Sequence, residues 1–181
     1  ALPILVDVKP IYGEILYKSK ILPPLTTVNG KVIHRDWDYL QYFINEARRL
    51  GLKVTVSTAM FPSGHPATRE GLVYDESRWD GKTCLEYTPD GKMLDIREDK
   101  KKVGAFLNPV RKDVRKFALS IVREIVKNYD VDAYALDYCR YPGDDSDFSA
   151  DSHKAFEHYL GKKVRNFPDN IFTWNADGTK N

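Results

Sequence analysis

Apolar positions along the chain follow two periods, one of strands and one of helices. Ile4, Leu5, Val6 and Val8 lie in an apolar run from Leu2 to Val8, which predicts a buried strand delivering Asp7 and Lys9 to its carboxyl end. Pro10 stops it. Trp37, Leu40, Phe43, Ile44, Ala47 and Leu50 recur on one face and predict a helix from Trp37 to Leu50, capped by Asp36 and closed by Gly51. Leu52 to Thr58 then alternates as a second strand. The rhythm lapses between residues 59 and 103, about 45 residues, long for a plain connection. A loop or hairpin insertion is expected there, with Pro89-Asp90-Gly91-Lys92 turning the chain before Met93 to Ile96. Gly104 to Leu107 reads as a third strand, and Asn108 and Pro109 as the cap and first residue of a helix reaching Tyr129. Val110, Val114, Phe117, Ala118, Ile121, Val122, Ile125 and Val126 form one apolar stripe on that helix. Val131 to Asp137 is a fourth strand, and Ser149 or Asp151 caps a last helix that ends at Leu160-Gly161. Residues 162–181 show no clear strand.

Strands that alternate with helices or loops call for parallel pairing through right-handed crossovers. A closed eight-stranded barrel takes about 250 residues. With 181 residues and four strands, this chain is either an open α/β sheet or about half of a (β/α)8 TIM-barrel-like domain. We favour one incomplete barrel domain over residues 1–181, with the missing barrel half or further domains as its partner. Such a piece exposes sheet edges and an apolar face, so it should associate or aggregate by itself.

Composition narrows the classes. A net charge of +2 with interspersed signs gives no electrostatic footprint for nucleic acid. No apolar run approaches the ~20 residues of a membrane span, and the amino terminus lacks the layout of a signal peptide. That leaves a mature, trimmed or cytoplasmic chain open. Cys84 and Cys139 form neither a zinc spacing nor a disulfide framework.

Polar groups gather at the predicted strand ends: Asp7 and Lys9, Ser57 and Thr58, Asn108, then Asp137, Tyr138 and Arg140. In a barrel these ends share one mouth. Hydrolysis of a glycosidic bond needs two carboxyl groups flanking it, and Asp137 and Asp7 are the visible pair. An ion pair with Arg140 would suit Asp137 to the role of nucleophile or charge stabiliser rather than proton donor, so the acid could lie elsewhere. Arg140 and Asn108 would hold a sugar, and Trp79, Tyr138 and Tyr141 offer stacking faces. His65 belongs to the insertion, whose aromatic and hydrogen-bonding side chains suit a substrate loop, although the same aromatics would also pack locally.

Other constellations are weak. Asp145, Asp147, Ser149 and Asp151 alternate as in a calcium loop, but Ala150 and Phe156 stand where glycine and glutamate belong. His34, His65, His153 and His158 show no metal-ligand pairing. No nucleophile elbow or phosphate-binding glycine loop occurs, so neither metal nor cofactor is expected.

Val6-Asp7-Val8-Lys9-Pro10, Trp37-Asp38-Tyr39-Leu40, Leu107-Asn108-Pro109, Leu136-Asp137-Tyr138, Arg140-Tyr141-Pro142 and Asp147-Phe148-Ser149 occur in an order that resembles the glycosyl-hydrolase-like family 10 proteins. The resemblance implies a carbohydrate-active hydrolase on a (β/α)8 scaffold, with Asp137 as an active-site carboxylate and Asp7, Lys9, Asn108 and Arg140 lining its mouth. It also implies a periplasmic, cell-surface or secreted location in a bacterium. The alternative is a barrel that binds carbohydrate without catalysis.

Overall fold

The computed structural model of the chain describes residues 2–33 and 36–181. His34 therefore lies outside the described residues. In chain order the elements are β1 (Pro3–Lys9), the short pair β2 (Thr27–Val28) and β3 (Lys31–Val32), and α1 (Tyr39–Arg49). Then come β4 (Lys53–Ala59), the single turn α2 (Leu72–Asp75), the hairpin strands β5 (Leu85–Tyr87) and β6 (Met93–Asp95), α3 (Lys112–Asn128), β7 (Ala133–Asp137) and α4 (Ala150–Leu160). The central sheet is parallel, in the order β1-β4-β7. Two antiparallel pairs, β2-β3 and β5-β6, lie outside it. The second is the hairpin that Pro89-Asp90-Gly91 signals.

One face of the central sheet is covered. Val6, Val54 and Val56 are buried with Leu40, Ile44 and Ala47 of α1 and with Val114, Ala118, Ile121 and Ile125 of α3. On the other face Leu5 is 58% exposed, while Leu136, on the covered side by register, is 53% exposed at the edge strand β7. Polar clasps fix the layers. Asp132, just before β7, accepts the Val54 N–H at 2.7 Å and pairs with Arg48 of α1 at 2.5 Å, so the start of β7 is tied to both neighbours. Glu124 of α3 accepts the hydroxyls of Tyr17 and Ser19 at 3.0 and 2.5 Å and the Lys20 N–H at 2.7 Å, which pins the β1–α1 loop onto the helix.

Three expectations need correction. Gly104 to Leu107 is not a strand of the parallel sheet, which has three strands among the described residues. The segment bridges antiparallel to Pro62 and Thr83 instead, with Ala105, Phe106 and Leu107 fully buried. A short apolar run fixes burial but not its pairing partner. The first helix is capped by Asp38, whose Oδ1 accepts the Gln41 N–H at 3.0 Å, rather than by Asp36. Asn108 does not cap α3, whose cap residue is Arg111. Its Oδ1 closes a tight turn on the Val110 N–H at 3.0 Å, one turn upstream. The last helix follows expectation, with the Ser149 side chain accepting the Ser152 N–H and Gly161 ending it in the left-handed region.

Candidate active site

The parallel register decides which side chains share a face. Asp7 stands opposite Ser57 and Ser57 opposite Ala135, while Ala59 stands opposite Asp137. Side chains alternate along strands, so Asp7, Ser57 and Asp137 point to the same face at the carboxyl end of the sheet, with Ser57 buried between the two carboxylates. Both carboxylates are exposed. One strand separates them and Asp137 lies two residues further along, which sets their backbones roughly 12 Å apart. Although Asp7 is exposed, protein close around its carboxyl group partly desolvates it and raises it above its ordinary range, and the charge of Asp137 pushes the same way. The Lys9 N–H at 3.3 Å and the Lys9 ammonium oppose that rise.

Lys9 itself is not at the mouth. A bulge between Asp7 and Lys9 shifts the register, and the Lys9 side chain is fully buried. Its Nζ donates to the carbonyls of Ala59 at 2.5 Å and Pro62 at 2.9 Å, which ties the end of β1 to the segment leaving β4. Desolvation lowers this ammonium to about 7, against the attraction of Asp7. Thr58 also turns away, its hydroxyl 2.9 Å from the Tyr134 hydroxyl.

The remaining expected residues scatter. Arg140 does not hold Asp137: it donates to the carbonyls of Tyr141 and Pro142 and lies 5.2 Å from the ring centre of Tyr138. The cause is Tyr138, whose positive φ of 45° swings the chain off the strand axis. The Tyr138 ring meets Phe106 edge-on at 5.8 Å. The Asp137 carboxylate instead accepts the Tyr138 N–H at 2.8 Å. Trp79 is buried, its ring 4.5 Å from Phe117 of α3 and beneath the Arg78 guanidinium, so it presents no platform to a ligand. Asn108 is buried too and donates to Asp147 at 2.6 Å and Ser149 at 3.0 Å. His65 stacks on Tyr12 at 5.6 Å, its Nδ1 3.1 Å from the Thr68 hydroxyl. Tyr141 borders a cavity of about 330 Å³ together with Phe148, Phe156 and Phe167.

Two groups escaped the sequence reading. Glu14, on the loop after β1, is half-buried and pushed up to about 7 by burial and by the charges of Asp75 and Glu70. Its loop packs tightly: a side chain on Gly13 would meet the Ser63 backbone at 2.8 Å, and φ there is +87°. The Tyr12-Gly13-Glu14 tripeptide was the available signal. The other is the role of Asp147, noted in the sequence only in the alternating acids: it accepts the Leu85 N–H at 2.6 Å and bonds from the Asn108, Ser149 and Ser152 side chains. Asp145 pairs with Lys102 and Asp151 with Arg111, so the alternating acids are each engaged by donors. Among the described residues, no group of three or more His, Cys, Asp and Glu side chains is arranged to hold a metal ion. Both cysteines are free, Cys84 buried and Cys139 exposed.

A parallel sheet with polar groups at its carboxyl rim is the arrangement by which α/β proteins of many chemistries place a site. The chain belongs to the family described as Glycosyl hydrolase-like 10, whose model matches residues 3–181. It is also 34% identical over 178 residues to an S-layer-related protein of Niallia circulans, a match that covers 93% of this chain. The chain spans 11% of that relative's length. Among the described residues, no helix is long and apolar enough to cross a membrane.

Proposed function

We propose that this chain forms part of a (β/α)8 glycosidase domain that hydrolyses a poly- or oligosaccharide at the bacterial cell surface. Asp137 acts as base or nucleophile and Asp7 as the partner carboxylate that carries the proton. The observation that supports this most is the placement of Asp7 and Asp137 on one face at the carboxyl ends of β1 and β7. The raised carboxyl of Asp7 suits proton delivery. The pair stands two strands and two residues apart, roughly 12 Å between backbones. That is nearer the about 6.5 to 9.5 Å of inverting carboxylates than the about 5 to 5.5 Å of retaining ones once the side chains reach inward. Tyr138, the residue after Asp137, is the expected sugar contact that stays beside it. The surface location rests on the S-layer-related relative.

The test uses the full-length protein. Asp137→Asn and Asp7→Asn should each lower release of reducing ends by about 10²-fold or more while glycan binding survives. The first-formed sugar anomer, followed by NMR, should have inverted configuration. Unchanged turnover in both variants overturns the assignment. A second reading, carbohydrate binding without hydrolysis, is favoured by the stagger of the two carboxylates, which stand two strands and two residues apart. It predicts binding with no reducing ends released by the parent protein.

A further inference from the structure

The cations of this chain are unevenly partnered. Arg48, Arg69, Arg97 and Arg111 each pair with a carboxylate. Lys18, Lys20, Arg123 and Lys127 pair with none among the described residues, yet all four are exposed and line one open groove of about 530 Å³ between the β1–α1 loop and α3. The three residues outside the described range, Ala1, His34 and Arg35, bring no acid.

Two carboxylates also line the groove, but both are turned to neutral donors. Glu124 accepts the Tyr17 and Ser19 hydroxyls and the Lys20 N–H. Asp38 accepts the Tyr129 hydroxyl at 2.6 Å and the Gln41 and Lys18 N–H groups at 3.0 and 3.3 Å. Four cations against two carboxylates leave the groove at net +2. Charge of one sign between protein walls concentrates the field in the solvent they enclose. The helix sets the spacing: Arg123 and Lys127 stand opposite its buried stripe, one turn or about 6 Å apart. Lys116, also exposed, continues that row about 10 Å further toward the amino end of α3. Lys18 and Lys20 supply the facing bank.

We propose that this groove binds an anionic glycan, a sugar polymer that carries carboxylate groups along its length. The Arg123 guanidinium takes one carboxylate edge to edge, and Lys20 and Lys127 take its neighbours. Gln41 and Asn128, which also line the groove, meet sugar hydroxyls with their amides. Cations dispersed along a helix and a loop match charges repeated along a chain better than one compact anion. The aromatic side chain in the lining, Tyr129, is half-buried, tied to Asp38 and packed edge-on to Tyr17, whereas single-stranded nucleic acid is held on open aromatic platforms. The choice of a glycan rests on the carbohydrate reading above; the anion site does not depend on hydrolysis.

The experiment measures binding of polygalacturonate, dextran and duplex DNA to the chain by calorimetry. At about 50 mM salt the parent should bind polygalacturonate and not dextran, and raising the salt to about 500 mM should weaken that binding at least tenfold. Arg123→Gln combined with Lys127→Gln should weaken polygalacturonate at least tenfold, while Lys154→Gln, at an exposed lysine outside the groove, leaves it unchanged. Circular dichroism melts matched to the parent exclude unfolding, as expected for exposed side chains. Asp137→Asn should also leave this binding unchanged, so loss of hydrolysis and loss of the groove read out separately. No binding of polygalacturonate, parent-like affinity in the double variant, an equal loss in Lys154→Gln, or DNA bound as tightly as polygalacturonate overturns the proposal.

Discussion

At the scale of single residues, Lys9 is the least expected feature. A fully buried ammonium with three donors faces two carbonyls, whereas the neutral amine keeps two N–H groups, enough for both. Burial accordingly lowers its pKa from 10.5 to about 7. Below about 7 folded and unfolded chains both carry the proton, and the full penalty of the buried charge is present. Between about 7 and 10.5 the unfolded chain binds more protons, so this group makes stability rise with pH across that window. Urea denaturation at about pH 7 and about pH 9.5 should register a gain on the order of a few kcal/mol. Lys9→Met should lose most of it, and an equal gain in the variant would show that Lys9 is not its source. The sequence placed this lysine at the strand end but not its direction, because the bulge that turns it inward leaves no mark in a run of Val-Asp-Val-Lys. Arg140 misled for a related reason: the positive φ at Tyr138 is not signalled by a glycine or asparagine, so its neighbour in sequence, Asp137, is not its neighbour in space.

At the scale of elements, periodicity was sufficient wherever a segment was long and two-faced. The stripes of α1 and α3 and the alternation of β4 were legible, because one buried face of a regular element imposes its own period. Gly104 to Leu107 was legible as buried and illegible as to partner. Contacts between loops were not legible at all, and the connection through Asn108 is the clearest case. With Ser149 and Ser152, Asn108 supplies donors to Asp147, joining the turn before α3 to the start of α4. Since α4 buries no residue of its own, this polar junction must carry much of its anchorage. Asn108→Ala removes a buried donor and should destabilise the protein by about 1–3 kcal/mol. Amide exchange should accelerate in residues 150–160 more than in α1, whose contacts with β1 and β4 are independent of the junction. Uniform acceleration, or none, would place the anchorage of α4 elsewhere.

At the scale of the whole molecule, the face that carries Asp7 and Asp137 is also the face that lacks cover. Leu5 stands on it at 58% exposure, in the same row as Thr55 and Ala133. Among the described residues β1 and β7 are the two edges of the sheet, and edge strands offer unpaired backbone groups to other chains. An open edge beside exposed leucines favours association over a dissolved monomer. In a closed barrel the same rows would face inward, and the carboxyl rim would become a bounded mouth rather than an open ledge. The 181-residue chain by itself should therefore sediment as a concentration-dependent mixture of monomer and larger species. Leu5→Lys combined with Leu136→Lys places two charges on exposed positions, one on each edge strand, and should shift that mixture toward monomer while thermal unfolding stays cooperative. A parent chain that remains monomeric up to high concentration would mean that this sheet tolerates its open face. The case for further strands closing over Asp7 and Asp137 would then lose its physical basis.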